Sequence, residues 1–296
     1  MNTGAQTIPL RGRAEALAGN LPPLLARALR LADGVMLGEH GRRRPGSGDA
    51  FWQYRPAVAG DAARAIDWRR SARSDQHFVQ QKEWQAAQVV MLWADNSAAM
   101  RYASNKSLPQ KADRAALLTL ALAALLIRGG ERVGLPDLPP GAGDLQLARL
   151  ATAITTAISS DQSPTEYGTP QIGNIPHHSR AVFASDFLGD LQPLETALGQ
   201  LAERGVKGAL VQILDPCEEA FPFLGRTLFE SMGAGIRFET RKARDLRERY
   251  KDRLAQRKQA LHAMTARIGW HYHLHHTDKA ASSALLWLFH ALEERR

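Results

Sequence analysis

The sequence predicts an α/β fold, in which a doubly wound and mostly parallel sheet carries helices on both faces and follows an irregular and helical N-terminal extension. The alternation of two kinds of apolar run supports this prediction. Near-continuous apolar runs of strand length alternate with amphipathic or apolar runs of helix length from about residue 86 to the C-terminus. Strands that alternate with helices of this length imply right-handed crossovers, and therefore a parallel sheet between two helical layers.

The first 85 residues predict an extension outside this sheet. Residues 13–37 have the pattern of an amphipathic helix interrupted by two prolines, residues 41–48 form a basic loop of turn-forming residues, and the segment that follows is polar and irregular. We therefore expect two parts: a helix and a basic, irregular arm over residues 1–85, which packs on a main domain of residues 86–296.

The main domain is expected to begin with a buried strand. The run from Gln88 to Asp95 is nearly all apolar and ends in an acid, as is typical of a central strand that is covered on both faces. The remaining strands are expected at residues 132–135, 180–185, 206–214 and 270–274, and the helices at residues 110–128, 145–158, 191–204, 243–268 and 281–292.

The longest apolar run, from Ala115 to Ile127, predicts a fully buried helix, because spanning a bilayer needs about 20 residues. The N-terminus has no apolar core of the signal-peptide type. The single cysteine, Cys217, excludes an intrachain disulfide and a zinc site built from several cysteines, and the acids around it disfavour a thiolate nucleophile. These features predict a cytoplasmic protein without a transmembrane segment.

The charge of the chain is moderately basic, with 38 Lys and Arg against 30 Asp and Glu and a formal net charge of +8. Nine basic residues lie between Arg241 and Lys258, interleaved with acids at helical spacing. We interpret this stretch as a solvated helix face. A nucleic-acid surface would be expected to interleave aromatic residues with the charges, and only Tyr250 does so here.

Two acids follow predicted strands and mark a candidate site. Asp95 and Asp186 each end an apolar run, and the carboxyl ends of parallel strands meet at one edge of a sheet, where open α/β folds bind ligands. With the hydroxyl of Ser97 nearby, these carboxylates suit a hard cation such as Mg²⁺. The alternative is that both acids cap the loops that follow them by accepting backbone N–H bonds.

These motifs carry a resemblance to known families. Asp95-x-Ser97-x-Ala99 is similar to the Asp-x-Ser-x-Ser motif of von Willebrand factor A domains, and Ser185-Asp186-Phe187 is similar to their later Ser-Asp loop. From about residue 40 to the C-terminus, the chain more specifically resembles the bacterial domain-of-unknown-function family 58. That family's pattern is matched, in order, by Arg55-Pro56-x-x-x-Gly60-Asp61, Ile66-Asp67-Trp68-Arg69-x-Ser71-Ala72-Arg73, Asp95-Asn96-Ser97, Arg132-Val133-Gly134-Leu135, Ser185-Asp186-Phe187 and Leu214-Asp215-Pro216-x-Glu218.

The resemblance implies a von Willebrand factor A type of fold, an association with MoxR-type AAA+ ATPases, and partner binding through a metal-ion-dependent adhesion site. The sequence departs from that site, because Ala99 stands where the second serine is expected. The nearest region to the family's threonine loop is residues 139–144. Asp95, Ser97 and Asp186 then form a degenerate site, in which a bound Mg²⁺ would need additional water or Asp144.

A second motif is dense in acids and arginines beside a tryptophan, and consists of Arg55, Asp61, Asp67, Trp68, Arg69, Ser71 and Arg73. One interpretation is that acid and guanidinium groups pair and pin an irregular segment onto the sheet. The other is a basic recognition surface continuous with the arginines of residues 42–44. The two interpretations are compatible.

The late strand alternates His271, His273 and His275 with apolar residues, and we expect these histidines to face solvent rather than to bind a metal. The sequence contains no phosphate loop, nucleophile elbow or zinc-protease motif. We therefore favour a non-enzymatic adaptor whose strand-end face meets an acidic group on a protein partner, such as a MoxR-type ATPase or its client. The alternatives are a cation-dependent, phosphatase-like hydrolase that uses Asp95, and nucleic-acid binding through the basic segments, which the sequence disfavours.

Overall fold

The computed structural model of the protein describes residues 23–38, 51–58, 66–73, 76–82, 87–159, 165–232, 235 and 237–293. The chain forms two compact units, which we call the main unit, Met1–Glu39 with Gln88–Arg296, and the small unit, His40–Ala87.

In chain order, the elements of the described residues are α1 (Pro23–Gly38), β1 (Phe51–Pro56), α2 (Trp68–Ser71), β2 (Phe78–Lys82), β3 (Val89–Ala94), a 3₁₀ helix (Ala98–Arg101), α3 (Lys111–Arg128), β4 (Arg132–Leu135), β5 (Leu138–Gly141), α4 (Gly143–Ser159), β6 (Arg180–Ser185), α5 (Leu191–Glu203), β7 (Lys207–Leu214), α6 (Pro216–Ala220), β8 (Thr227–Glu230), β9 (Arg237–Thr240), a second 3₁₀ helix (Ala243–Leu246), α7 (Arg247–Arg267), β10 (His271–His276) and α8 (Ala281–Glu293).

The main unit is built on a six-stranded sheet with the strand order β10-β7-β6-β3-β4-β5. All neighbouring pairs are parallel except β4 and β5, which are antiparallel. This arrangement confirms the mostly parallel α/β fold that the sequence predicts. It also brings the carboxyl ends of β3, β6 and β7 to one edge of the sheet, which we call the strand-end edge.

Helices cover both faces of the sheet. Alternate residues of each strand point to opposite faces, so each central strand contributes side chains to two separate apolar clusters. Val90 and Val182 belong to an apolar cluster that includes side chains of α1, α3, α4 and α8. Their neighbours Met91 and Phe183 belong to a second cluster with side chains of α5 and α7. The doubly covered sheet explains why its central strands are nearly continuous apolar runs in the sequence.

Helix α3 is buried nearly all round, as its apolar sequence predicts. Its side chains from Ala115 to Ile127 are all buried, and those of Leu118, Leu120 and Leu122 are at most 1% exposed. A helix that is apolar on every side needs cover on every side. Sheet strands together with α1, α4 and α8 provide that cover.

The structure differs from the sequence-based prediction in its short strands. Strands β1 and β2 form an antiparallel pair within a segment that the sequence predicts to be irregular. The sequence also did not predict β5 or the antiparallel hairpin of β8 and β9. Strand β5 contains two prolines, which have no backbone N–H to donate. An edge strand tolerates them because it has a neighbouring strand on one side only.

The N-terminal segment is described only in part. Helix α1 belongs to the main unit, where Leu25, Ala28 and Ala32 enter the same core as α3. The basic loop of residues 41–48 lies outside the described residues. The division of the chain near residue 85 stays a prediction. Within the described residues, no helix combines the length and apolar composition that crossing a membrane requires.

Candidate functional site

Three buried acids follow three neighbouring strands at the strand-end edge. Asp95 follows β3, Asp186 follows β6 and Asp215 follows β7, and their exposed fractions are 2%, 1% and 0%. The Asp95 N–H donates to the carbonyl oxygen of Ala184 at 2.9 Å, which extends the pairing of β3 and β6 by one residue. The structure therefore brings Asp95 and Asp186 to one edge of the sheet.

The Asp95 carboxylate is fully engaged by neighbouring groups. Its Oδ1 accepts from the backbone N–H of Ser97 at 2.8 Å, and its Oδ2 accepts from the hydroxyl of Ser185 at 2.7 Å. The Ser185 hydroxyl in turn accepts from the N–H of Phe187 at 3.1 Å. Burial raises the pKa of Asp95, although the hydrogen bond from Ser185 opposes that rise and the charge of Asp186 adds to it.

The Asp186 carboxylate is also engaged on both oxygens. Oδ1 accepts from the N–H of Leu188 at 3.0 Å, and Oδ2 accepts from the ammonium group of Lys111 at 2.8 Å. The Asp186 carbonyl oxygen accepts from the side-chain amide of Gln212, a buried residue of β7. Asp186 thus both caps its own loop, as one sequence-based alternative proposed, and pairs with a cation.

Lys111 is a residue of this candidate site that the sequence did not reveal. It is the first residue of α3, its side chain is 1% exposed, and its ammonium also donates to Oε1 of Glu218 at 2.6 Å. Burial alone would lower the pKa of Lys111. The charges of Asp186 and Glu218 outweigh burial and raise that pKa above its ordinary value, so the side chain is a cation.

Asp215 and Glu218 form a rigid corner beside this ion pair. The two residues form a capping box at the start of α6, in which Oδ1 of Asp215 accepts from the N–H of Cys217 and Oε2 of Glu218 accepts from the N–H of Asp215. Oδ2 of Asp215 accepts from the N–H of Ser104 at 2.9 Å. This geometry gives a physical reason for the spacing of Asp215 and Glu218 in the sequence.

The loop of residues 165–170 packs directly on the Asp95 loop. The N–H groups of Ala98 and Ala99 donate to the carbonyl oxygens of Thr165 and Glu166. A Cβ added to Gly168 would lie 2.2 Å from Oδ1 of Asp95. Residues 165–170, which include Thr169, therefore contact the Asp95 loop, whereas the assignment of residues 139–144 as the nearest region to a threonine loop stays a prediction.

The described residues do not fit a divalent cation at this edge. The buried Ser97 hydroxyl has no hydrogen-bond partner among them, which favours an ion. However, all four carboxylate oxygens of Asp95 and Asp186 already accept hydrogen bonds, and Lys111 adds a positive charge. The ammonium group of Lys111 would repel a divalent ion bound beside it. No group of three or more His, Cys, Asp or Glu side chains in the described chain is arranged to hold a metal.

A cleft of about 400 Å³ opens above this ion pair. Lys111, Asp186 and Glu218 line part of it, and aromatic rings line another part. The ring of Phe221 lies 4.8 Å from that of Tyr250, measured between ring centroids, and Phe221 adopts a left-handed conformation with φ of 46° at the end of α6. We call this cavity the aromatic cleft.

Exposed apolar side chains continue from the aromatic cleft onto the hairpin of β8 and β9. Phe238, the cross-strand partner of the cleft-lining Phe229, is 51% exposed, and Met232, which also lines the cleft, is 48% exposed. Leu228, at 48% exposed, lies on the opposite face of the hairpin. Leu224, just before β8, is 61% exposed. Exposed apolar residues grouped in this way are typical of interaction surfaces.

In the small unit, Asp67 is a helix cap. Its Oδ1 accepts from the N–H of Arg70 at 3.0 Å at the start of α2. The hydroxyl of Ser71 donates to the carbonyl oxygen of Asp67 at 2.7 Å and accepts from the N–H of Phe78 at 2.9 Å. These bonds fasten α2 to strand β2, which accounts for the Asp and Ser of this motif.

Other residues of the same motif are exposed. Trp68 is 57% exposed, and Arg69 and Arg73 are exposed as well. Arg55 lies in β1, but its side chain is outside the described part of the chain, and Asp61 lies outside the described residues altogether. Whether this motif binds a partner stays a prediction.

The histidines of β10 do not face solvent as the sequence suggested. His275 is 2% exposed and its Nε2 lies 3.2 Å from a guanidinium nitrogen of Arg114, while the ring of His273 stacks on that of Trp287 at 4.6 Å. Helices α3 and α8 supply these two partners and cover this face of the edge strand. Burial, together with the charge of Arg114, lowers the pKa of His275 to about 4.

Comparisons with known proteins find one matching family, two similar mycobacterial proteins and one solved structure. The family described as "Protein of unknown function DUF58" matches residues 53–260 of the chain. Uncharacterized protein Rv1480 of Mycobacterium tuberculosis and Uncharacterized protein Mb1516 of Mycobacterium bovis are each 27% identical to the chain over 234 residues, which are 72% of this chain and 73% of each relative. A solved structure, the conserved hypothetical protein BatB from Bacteroides thetaiotaomicron, is 14% identical, covers 71% of this chain and 100% of its own, and has a TM-score of 0.37.

Proposed function

The chain belongs to the family described as Protein of unknown function DUF58, and we propose a function for it. In this proposal the protein is a cytoplasmic adaptor of the von Willebrand factor A type, which binds a protein partner at its strand-end edge. We propose a MoxR-type AAA+ ATPase as that partner, and the assembly or maturation of a protein complex as their common task.

The observation that carries the proposal is the aromatic cleft at the strand-end edge, continued by the exposed apolar side chains of the β8–β9 hairpin. Open parallel sheets bind ligands at the carboxyl ends of their strands. Aromatic residues are enriched in protein interfaces, where they supply a large share of the binding free energy. A protein partner that places an apolar segment in this cleft would bury both features at once.

The von Willebrand factor A character of the site is part of this proposal. It is supported by the position of Asp95 and Ser97 after one strand and of Asp186 after its neighbour. The contact of residues 165–170 with the Asp95 loop supports it as well, because Thr169 lies in the segment that would correspond to the threonine loop. The proposed site differs from a metal-dependent one, since its residues do not fit a divalent ion.

The contacts at this edge favour an apolar segment of the partner over the acidic group that the sequence suggested. An acidic group would need a cation that is available to it. Lys111 is 1% exposed and already donates to the carboxylates of Asp186 and Glu218. Aromatic and apolar contacts at the cleft and hairpin are therefore the stronger source of binding free energy.

The geometry gives less support to the alternative functions. A hydrolase that used Asp95 as a nucleophile or metal ligand would need an accessible carboxylate, but Asp95 is 2% exposed and both of its oxygens accept hydrogen bonds. The basic helix α7 uses Arg257 to hold the loop after β6, since this side chain donates to the carbonyl oxygen of Gly189. That contact is structural and does not favour nucleic-acid binding.

The experiment measures the affinity of the full chain for a purified MoxR-type ATPase from the same organism. We expect Phe238→Ser to weaken binding about tenfold or more, because an exposed interface aromatic contributes at least about 1.4 kcal/mol when it is central. Leu145→Ser, at a leucine that is 69% exposed on α4, is the matched control and should bind like the wild type. Equal affinities of both variants, or no binding by the wild type, would refute the proposal.

A further inference from the structure

We propose that the ammonium group of Lys111 takes the place of the divalent ion at this strand-end edge, so that the edge is held together without a metal and becomes a cation site only when that side chain is removed. This inference concerns the same edge as the proposed function, but it holds or fails independently of any partner.

The first support is the position of the ammonium between two acids. Its nitrogen lies 2.8 Å from an oxygen of Asp186 and 2.6 Å from an oxygen of Glu218. It also lies 5.8 Å from the centre of the Tyr102 ring, which attracts a cation over its face. A positive charge inside this cluster is therefore contacted by two carboxylates and an aromatic ring.

The second support is the set of segments that this one cation connects. Lys111 begins α3, Asp186 belongs to the loop after β6, and Glu218 belongs to the helix after β7. Through the capping box, Glu218 is joined to Asp215, and Asp215 accepts from the loop after β3 at Ser104. A bound ion joins protein segments by coordinating oxygens from each of them. Here a covalently attached cation makes the same connection, so no chelator can remove it.

The third support is the charge that would remain without Lys111. The buried Asp186 and the partly buried Glu218, which is 15% exposed, would then be two carboxylates whose shared cation had gone, and like charges at close range are unfavourable. Shortening Lys111 to alanine would also free the volume of its side chain. Carboxylate oxygens facing a small polar space are the ligands that Mg²⁺ and Mn²⁺ prefer. The Lys111→Ala variant should therefore take up a divalent ion that the wild type excludes.

The experiment titrates MnCl₂ into the full-length wild type and the Lys111→Ala variant while thermal unfolding is recorded, and it counts bound Mn²⁺ by electron paramagnetic resonance. For the wild type we expect no saturable binding and a melting temperature that changes by less than about 1 °C. For the variant we expect one bound Mn²⁺ and a rise of about 4 °C or more, because a ligand of the native state raises the melting temperature.

Two further variants serve as controls. The double variant Lys111→Ala, Asp186→Asn lacks one of the expected ligands and should lose the gained binding. Lys106→Ala, at an exposed lysine just before α3, removes the same charge from the surface and should behave like the wild type.

Saturable Mn²⁺ binding by the wild type would overturn the proposal, and so would a folded Lys111→Ala variant that binds no Mn²⁺. If Lys111→Ala does not fold, the wild-type measurement alone decides: absence of binding supports the proposal and stoichiometric binding refutes it. None of these readouts involves the ATPase, so failure of the proposed partnership would leave their interpretation unchanged.

Discussion

At the scale of single residues, Lys111 is the side chain on which the strand-end network converges. The apolar runs that end in Asp95 and Asp186 could be recognised in the sequence, because strands buried on both faces leave a clear hydrophobic signal. The role of Lys111 could not, because its two partners are 75 and 107 residues away along the chain. No local pattern records contacts that only the folding of the sheet creates.

Gly168 gives a residue-scale prediction about the same network. Any side chain at this position would place its Cβ against the Asp95 carboxylate, so Gly168→Ala must displace either the loop of residues 165–170 or Asp95 itself. We expect the free energy of unfolding, measured by urea denaturation, to fall by about 1–3 kcal/mol, as is usual for overpacking.

The matched control for this change is Gly173→Ala, since a Cβ at Gly173 would meet nothing within 4 Å. It should alter the free energy of unfolding by less than about 0.5 kcal/mol. Similar losses for the two variants would contradict the close packing of Gly168 on Asp95.

At the scale of elements, the sequence located the strands and helices of the main unit well and missed the short hairpins. Strands β3, β6 and β7 are long apolar runs because they are covered on both sides. Strands β8 and β9 have four residues each and pair only with one another, so none of their residues is fully buried and their hydrophobic signal in the sequence is weak. Part of the candidate partner surface lies on these two short strands, β8 and β9.

The docking of β10 onto α3 depends on pH through His275. Arg114 of α3 lies next to the His275 ring and donates to the carbonyl oxygens of Thr277 and Lys279. Because the pKa of His275 is about 4 in the folded protein and about 6.5 when unfolded, the unfolded chain binds more protons between these values. His275 therefore makes folding less favourable as the pH falls from about 6.5 towards 4.

We expect this residue to account for a loss of about 2 kcal/mol in the free energy of unfolding between pH 7 and pH 5. Comparing the pH dependence of urea denaturation in the wild type and in His275→Gln measures that contribution as the difference between the two slopes. His290→Gln, at an exposed histidine of α8, is the control. Parallel slopes for the wild type and His275→Gln would contradict the buried, neutral state of His275.

At the scale of the whole molecule, the strand-end edge of the six-stranded sheet combines a polar network with an apolar surface. The three acids at the carboxyl ends of β3, β6 and β7 are held by backbone donors, a serine and a lysine, and the aromatic cleft opens beside them. The polar network fixes the loops, and the aromatic and apolar side chains provide the surface that a partner would cover. Whether the exposed Trp68 and arginines of the small unit add a second contact is a separate hypothesis, which Trp68→Ala tests in the same binding assay.

Hydrogen–deuterium exchange of the full chain, with and without a MoxR-type ATPase at saturating concentration, shows whether the partner binds at the strand-end edge. We expect binding to slow amide exchange in residues 221–232 and 237–240, which line the aromatic cleft and form the hairpin, and in residues 165–170. Protection confined to other surfaces, such as the exposed side of α4, or no protection at saturation, would contradict this expectation.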